Sequence, residues 1–186
     1  MIDSKHDDVA RVDTLLPTEL VEAAKRVIDA NRAAGRTIAL AESCTGGLVA
    51  AALTEHPGAS DVFTASVVSY ANSAKTAHLG VGNEIIETFG AVSVATAWAM
   101  AQGMLNRSDA DVAVAITGIA GPDGGSEKKP VGTVVFARAV RGQKPENVHA
   151  DKQYLDDNGR GGVRLQAALV ALELLMPDPD SVRGEA

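Results

Sequence analysis

The sequence predicts an α/β fold: a three-layer α/β/α sandwich around a mixed, mostly parallel five-stranded sheet. Three observations carry this. Short apolar, β-branched runs at 37–40, 63–70 and 111–116 alternate with stretches whose apolar residues recur at helical spacing. Two further runs, 131–140 and 148–155, follow one another without a helix between them, which implies an antiparallel hairpin at one end of the sheet. Hydrophobic residues make up 46% of the 186, yet the aromatics are one Trp, two Tyr and three Phe. The core is therefore expected to consist of Ala, Val, Leu and Ile, which favours helices packed closely on a sheet.

Each element has its own reason. Residues 1–16 read as a flexible leader. Pro17 and Thr18 open a helix in which Leu20, Val21, Ala24, Val27 and Ile28 share a face, and Gly35 stops it. Thr37–Leu40 is a short buried strand. Gly47–Thr54 is an alanine-rich helix ended by His56-Pro57-Gly58. Phe63–Tyr70 is a second strand, followed by short helices at Ala71–Leu79 and Asn83–Phe89. Ser93 is a good N-cap for a helix to Leu105. Asp111–Ile116, a Val/Ala run with no wet face, is the third strand. Residues 117–130 hold four glycines and two prolines, and a loop of that length inside a domain is usually functional or disordered. Val131–Val140 and Val148–Leu155 form the hairpin, with its turn at Arg141–Pro145. A last helix runs from Gly161 to Leu175, stopped by Pro177. One domain spans 17–176, and 177–186 is a tail.

The composition excludes several classes. Net charge is −7 and no basic block occurs, which argues against binding a nucleic-acid backbone. A single cysteine rules out an internal disulfide and suits a reducing cytosol. No apolar stretch reaches ~18 residues and the N-terminus has no signal-peptide core, so a cytoplasmic protein without membrane contact is expected. No His/Cys set has metal-ligand spacing, so no metal is expected.

Candidate chemistry gathers where strands end. Ala41-Glu-Ser-Cys-Thr-Gly-Gly47 takes a strand into a helix N-terminus, whose amides and dipole suit an anion or a developing oxyanion. Ser43 is a candidate nucleophile or, equally, an N-cap; both hold if Thr45 caps and Ser43 projects into a cleft. The four histidines, His6, His56, His78 and His149, give a Ser-His-Asp triad little support, and a Ser–Lys pair is the alternative. Lys75 sits at a strand–helix junction on the same edge of the sheet. To act as base it must be buried, against the default of a solvated lysine. Tyr70 either orients Lys75, stacks on a flat ring, or merely packs. Thr117 is a third polar strand end, and the glycines after it, Gly118 and Gly121 among them, allow backbone to approach a ligand. Cys44 is a rival nucleophile or inert packing. Arg160 and Arg164 are phosphate candidates or a solvated helix face.

These motifs also carry a resemblance. Residues 41–47, Ser69-Tyr-Ala-Asn-Ser-Ala-Lys75 and the long run from Thr117 to Val134 resemble, in order, the signatures of the CinA C-terminal domain family, over roughly residues 17–176. The resemblance implies a three-layer fold with a mixed five-stranded sheet. It also implies nicotinamide-nucleotide amidohydrolase activity: hydrolysis of the carboxamide of nicotinamide mononucleotide to nicotinate mononucleotide and ammonia, in pyridine-nucleotide recycling. Carried over by motif, Ser43 is the nucleophile and Lys75 its base, with Tyr70 beside them, while Cys44, Thr45, Gly46, Gly47, Thr117, Gly118 and Gly121 line the substrate site. Arg160 and Arg164 are assigned to the phosphate less directly. Many members have an additional N-terminal domain related to molybdopterin-binding proteins, which the sixteen-residue leader does not accommodate.

The expected partner is a small mononucleotide, with no cofactor, no nucleic acid, and self-association into a homo-oligomer. The alternative functions are a nucleotide-binding module without turnover, and a role associated with competence or DNA damage.

Overall fold

The computed structural model describes residues 13–178. The expected leader up to residue 12, His6 with it, and the tail from residue 179 lie outside the described residues. The chain runs α1 (Thr18–Ala33), β1 (Ile38–Glu42), α2 (Leu48–Thr54), β2 (Phe63–Val68), α3 (Asn72–Leu79), α4 (Asn83–Phe89), α5 (Val94–Asn106), β3 (Val112–Gly118), β4 (Thr133–Val140), β5 (His149–Tyr154) and α6 (Gly159–Leu175). The sheet order is β2-β1-β3-β4-β5. β1 pairs in parallel with β2 and β3, and β4 pairs antiparallel with β3 and β5. β4 alone therefore runs against the other four strands, as the late hairpin predicts. No helix among the described residues is long and apolar enough to cross a membrane.

The two faces of the sheet differ in side-chain size. Ile38, Leu40, Val112, Val114, Ile116, Val134 and Phe136 point to the layer formed by α1, α2 and α6. Ala39, Ala41, Ala113, Ala115, Ala137 and Ala139 point to the α5 layer. Alternation along each strand produces this split. Small residues bring α5 close to the sheet and to the end of α3. At Gly103 an added Cβ would collide with the Leu79 carbonyl oxygen.

Strand ends move relative to the sequence reading, for one reason. A strand lasts as long as its neighbours can pair with it. β1 continues past Leu40 because Glu42 pairs with Val68 on one side and Ile116 on the other. β2 stops at Val68, before Tyr70, because β1 turns away there. β3 includes Thr117 and Gly118, paired with Val135 and Val134, so the glycine-rich loop begins at Ile119. The hairpin connection is longer than the expected turn and contains a 3-10 turn over Pro145–Asn147, held by the Trp98 indole N–H on the Pro145 carbonyl at 3.1 Å.

Because β1, β2 and β3 run the same way, their carboxyl ends lie on one edge. From there β1 leads to α2 on one face, and β2 leads to α3 on the other. Sheets of this kind open a crevice where consecutive connections part to opposite faces.

Candidate active site

The turn after β1 is fixed from both sides. The Ser43 amide donates to the Ile116 carbonyl at 2.9 Å, and the Ser69 amide donates to the Glu42 carbonyl at 2.8 Å. Gly46 and Gly47 then take positive φ, 62° and 90°, a backbone that side chains other than glycine's rarely allow. The first turn of α2 is capped by Glu42, a fully buried carboxylate. It accepts from the amides of Gly47 (2.9 Å), Val49 (3.3 Å) and Ala50 (2.9 Å), and from the Ser66 hydroxyl at 3.4 Å.

Two expectations change here. The α2 N-terminus is not open to an outside anion, because Glu42 already supplies the negative charge. Neither Ser43 nor Thr45 caps the helix with its side chain: the Thr45 hydroxyl is buried with no partner, and Ser43 lines a cleft. Gly46 and Gly47 shape the turn and do not line the cleft, their amides being held by the Ser43 carbonyl and by Glu42. The amides of Cys44 and Thr45 bond toward the Cys44 sulfur rather than to an oxygen, and Thr45, fully buried, does not line the cleft.

Lys75 is almost wholly buried, at 1% exposure. Its Nζ donates to the Ser69 carbonyl at 2.9 Å and the Tyr70 carbonyl at 3.4 Å, and lies 3.0 Å from Ser43 Oγ. Among the described residues no carboxylate pairs with it. Burial without a counter-charge pushes the lysine below its ordinary range. A neutral amine has two N–H groups and one lone pair. In that neutral form, with the two carbonyls taking the N–H groups, the lone pair would face the Ser43 hydroxyl. The Cys44 thiol next door is pushed up to about 11, burial being the main cause, so it is protonated at neutral pH.

The cleft over this pair has a volume of about 260 Å³. Of the candidate site residues, Ser43, Cys44, Lys75, Tyr70, Thr117, Gly118, Gly121 and Arg160 line it. Tyr70 is 59% exposed and its hydroxyl accepts from Arg160 Nη2 at 2.7 Å; only its carbonyl touches Lys75. The Thr117 hydroxyl donates to the Ala91 carbonyl at 2.9 Å, which ties β3 to the α4–α5 connection. Arg160 Nη1 donates to the Gly121 carbonyl at 2.7 Å and so braces the glycine-rich loop. Arg164 is elsewhere: it donates to the Thr45 carbonyl at 2.8 Å from behind the turn and does not line the cleft. His56, His78 and His149 are absent from the lining, so among the described residues Ser43 has no imidazole partner.

The cleft also contains residues that the sequence reading passed over. Asn72 and Asp123 sat inside the quoted motifs with no role attached. Val92 carried no signal at all, since only the packing of α5 under β3 brings it to the site. Glu42 was legible as part of residues 41–47, but its capping role appears only once α2 is folded over it.

The chain can now be set beside known proteins. A family model described as CinA C-terminal domain matches residues 20–178. A putative competence-damage inducible protein of Symbiobacterium thermophilum is 51% identical over 146 residues, covering 76% of this chain and 34% of its own length. A CinA-like protein of Mycobacterium avium is 52% identical over 143 residues, covering 76% and 33%. The chain thus spans about a third of the length of these curated relatives. Among solved structures, the competence/damage inducible protein CihA of Agrobacterium tumefaciens matches with a TM-score of 0.82 and 48% identity, covering 87% of this chain and 96% of that one. A competence damage-inducible protein A of Klebsiella pneumoniae matches with a TM-score of 0.78 and 35% identity, covering 84% and 94%.

Proposed function

The chain belongs to the CinA C-terminal domain family, and we propose that it is a serine amidohydrolase that hydrolyses the carboxamide of nicotinamide mononucleotide. The observation that carries this reading is the 3.0 Å contact between Lys75 Nζ and Ser43 Oγ in a buried setting without a counter-ion. A serine hydroxyl becomes a competent nucleophile when a neighbouring base takes its proton, and a lysine becomes that base when desolvation keeps it neutral.

The steps follow from the geometry. Ser43 Oγ attacks the carboxamide carbon as its proton passes to Lys75 Nζ. The tetrahedral oxyanion is received beside Cys44, the residue next to Ser43 on the cleft wall. Lys75 returns the proton to the departing nitrogen, and ammonia leaves. Water enters, gives a proton to Lys75 and attacks the acyl-enzyme carbon. Nicotinate mononucleotide leaves as the proton returns to Ser43. The product feeds pyridine-nucleotide recycling in the cytoplasm. The cleft volume of about 260 Å³ is just below the ~300–1,000 Å³ of drug-sized ligand pockets, which favours a mononucleotide over a dinucleotide. In this reading Arg160, which lines the cleft, is the cation that meets the phosphate.

The test is ammonia release from nicotinamide mononucleotide by wild type and by Ser43→Ala. Wild type releases ammonia, and folded Ser43→Ala loses at least about a thousandfold in kcat, the scale on which single triad members act. Comparable release by both would overturn the assignment of the nucleophile.

A further inference from the structure

The polar groups on the wall of the cleft are not equally occupied. Ser43, Lys75, Tyr70, Thr117 and Arg160 all engage one another or the backbone. Asp123 is exposed, lines the cleft and makes no such bond. Of the residues forming that wall it is the sole acid. Arg160 holds the carbonyl of Gly121, two residues before Asp123, yet the guanidinium and the carboxylate do not pair. The wall thus presents a positive and a negative group that do not pair, and of these two only the positive one is anchored.

A substrate made of a quaternary pyridinium ring and a phosphate has the same pattern in reverse. We propose, resting on the amidohydrolase reading, that Asp123 sets specificity for N-substituted pyridinium carboxamides by meeting the ring's positive charge while Arg160 meets the phosphate. Electrostatic matching of this kind discriminates between ligands of the same shape. The cleft then rejects the reduced, dihydropyridine form of the mononucleotide, which has the same carboxamide, sugar and phosphate but an uncharged ring. A carboxylate that served only to accept from the ribose hydroxyls would treat the two forms alike.

The experiment measures direct binding in the Ser43→Ala background, so that no turnover intervenes. The probes are oxidised and reduced nicotinamide mononucleotide, each with and without Asp123→Asn. With Asp123 present the oxidised form binds about tenfold or more tightly than the reduced form, and Asp123→Asn narrows the ratio to within about threefold by weakening the oxidised form alone. Equal binding of the two forms with Asp123 present overturns the inference, as does an equal loss of both in Asp123→Asn. Those outcomes leave the amidohydrolase reading standing. Failure of both forms to bind refutes the mononucleotide itself and this inference with it.

Discussion

The carboxylate of Glu42 accepts the Gly47 amide at 2.9 Å, so the residue just before the candidate nucleophile caps the helix that follows it. This contact closes the α2 N-terminus to an outside anion. Replacing Glu42 with Ala strands three amides in a buried position. The expected cost is about 3 kcal/mol of stability or more, read from denaturant midpoints, since each unmet buried donor is worth ~1–3 kcal/mol. Glu42→Gln keeps one acceptor oxygen and is expected to fall between the two. A Glu42→Ala protein as stable as wild type would refute the cap.

Lys75 makes a pH signature. Its folded value lies below the ordinary 10.5, so between that lowered value and 10.5 the unfolded chain holds a proton that the folded chain does not. Stability contributed by this site therefore rises with pH in that window, by up to ~1.4 kcal/mol per pH unit. Lys75→Met removes the dependence. The comparison is made below about pH 8, where the Cys44 thiol, raised from 9.0 to about 11 on folding, is almost wholly protonated in both states. Over the same range kcat/KM for amide hydrolysis rises along a one-proton limb as Lys75 loses its charge. Parallel stability curves for wild type and Lys75→Met would refute a displaced lysine.

Arg160 and Arg164 look alike in sequence and separate in space. Arg160→Ala is expected to raise KM for the mononucleotide about tenfold with kcat changed little, as loss of one charged ligand contact does. Arg164→Ala withdraws the donor on the Thr45 carbonyl, and is expected to lower kcat and stability while leaving KM near wild type. Steady-state kinetics on the two variants check this. Interchanged effects would place the phosphate behind the Ser43 turn.

Cys44 is held as a thiol, and its nucleophilic form is scarce at neutral pH. Cys44→Ala is expected to keep most of the activity and to lose about 1 kcal/mol of packing, since the residue is 5% exposed. Alkylation by iodoacetamide at pH 7.5 is correspondingly slow. Loss of activity in a folded Cys44→Ala would move the nucleophile to sulfur.

Gly103 reports the closeness of α5 to α3. Its replacement by Ala drives a methyl into the Leu79 carbonyl, backbone that yields little. Overpacking of this kind costs about 1–3 kcal/mol, and a lower melting temperature checks it. An unchanged melting temperature would mean that the end of α3 gives way freely.

The sequence by itself determined the fold class, the five strands and the segments that meet at the site. Periodicity records which residues must be buried, and the Ser43, Lys75 and Thr117 motifs each sit where a strand ends. Its helix and strand boundaries err where pairing partners decide, as at Glu42, left outside the strand read at 37–40 although both neighbouring strands hold it in β1. The tertiary structure alone decided that Lys75 is buried rather than solvated, that Tyr70 touches Lys75 through its carbonyl, that Arg164 backs the turn, and that Asp123 stands unpaired in the cleft. These are properties of distance between residues far apart in the chain. A residue's type and its neighbours in sequence fix what it can donate or accept; only the packed sheet and helices fix what it meets.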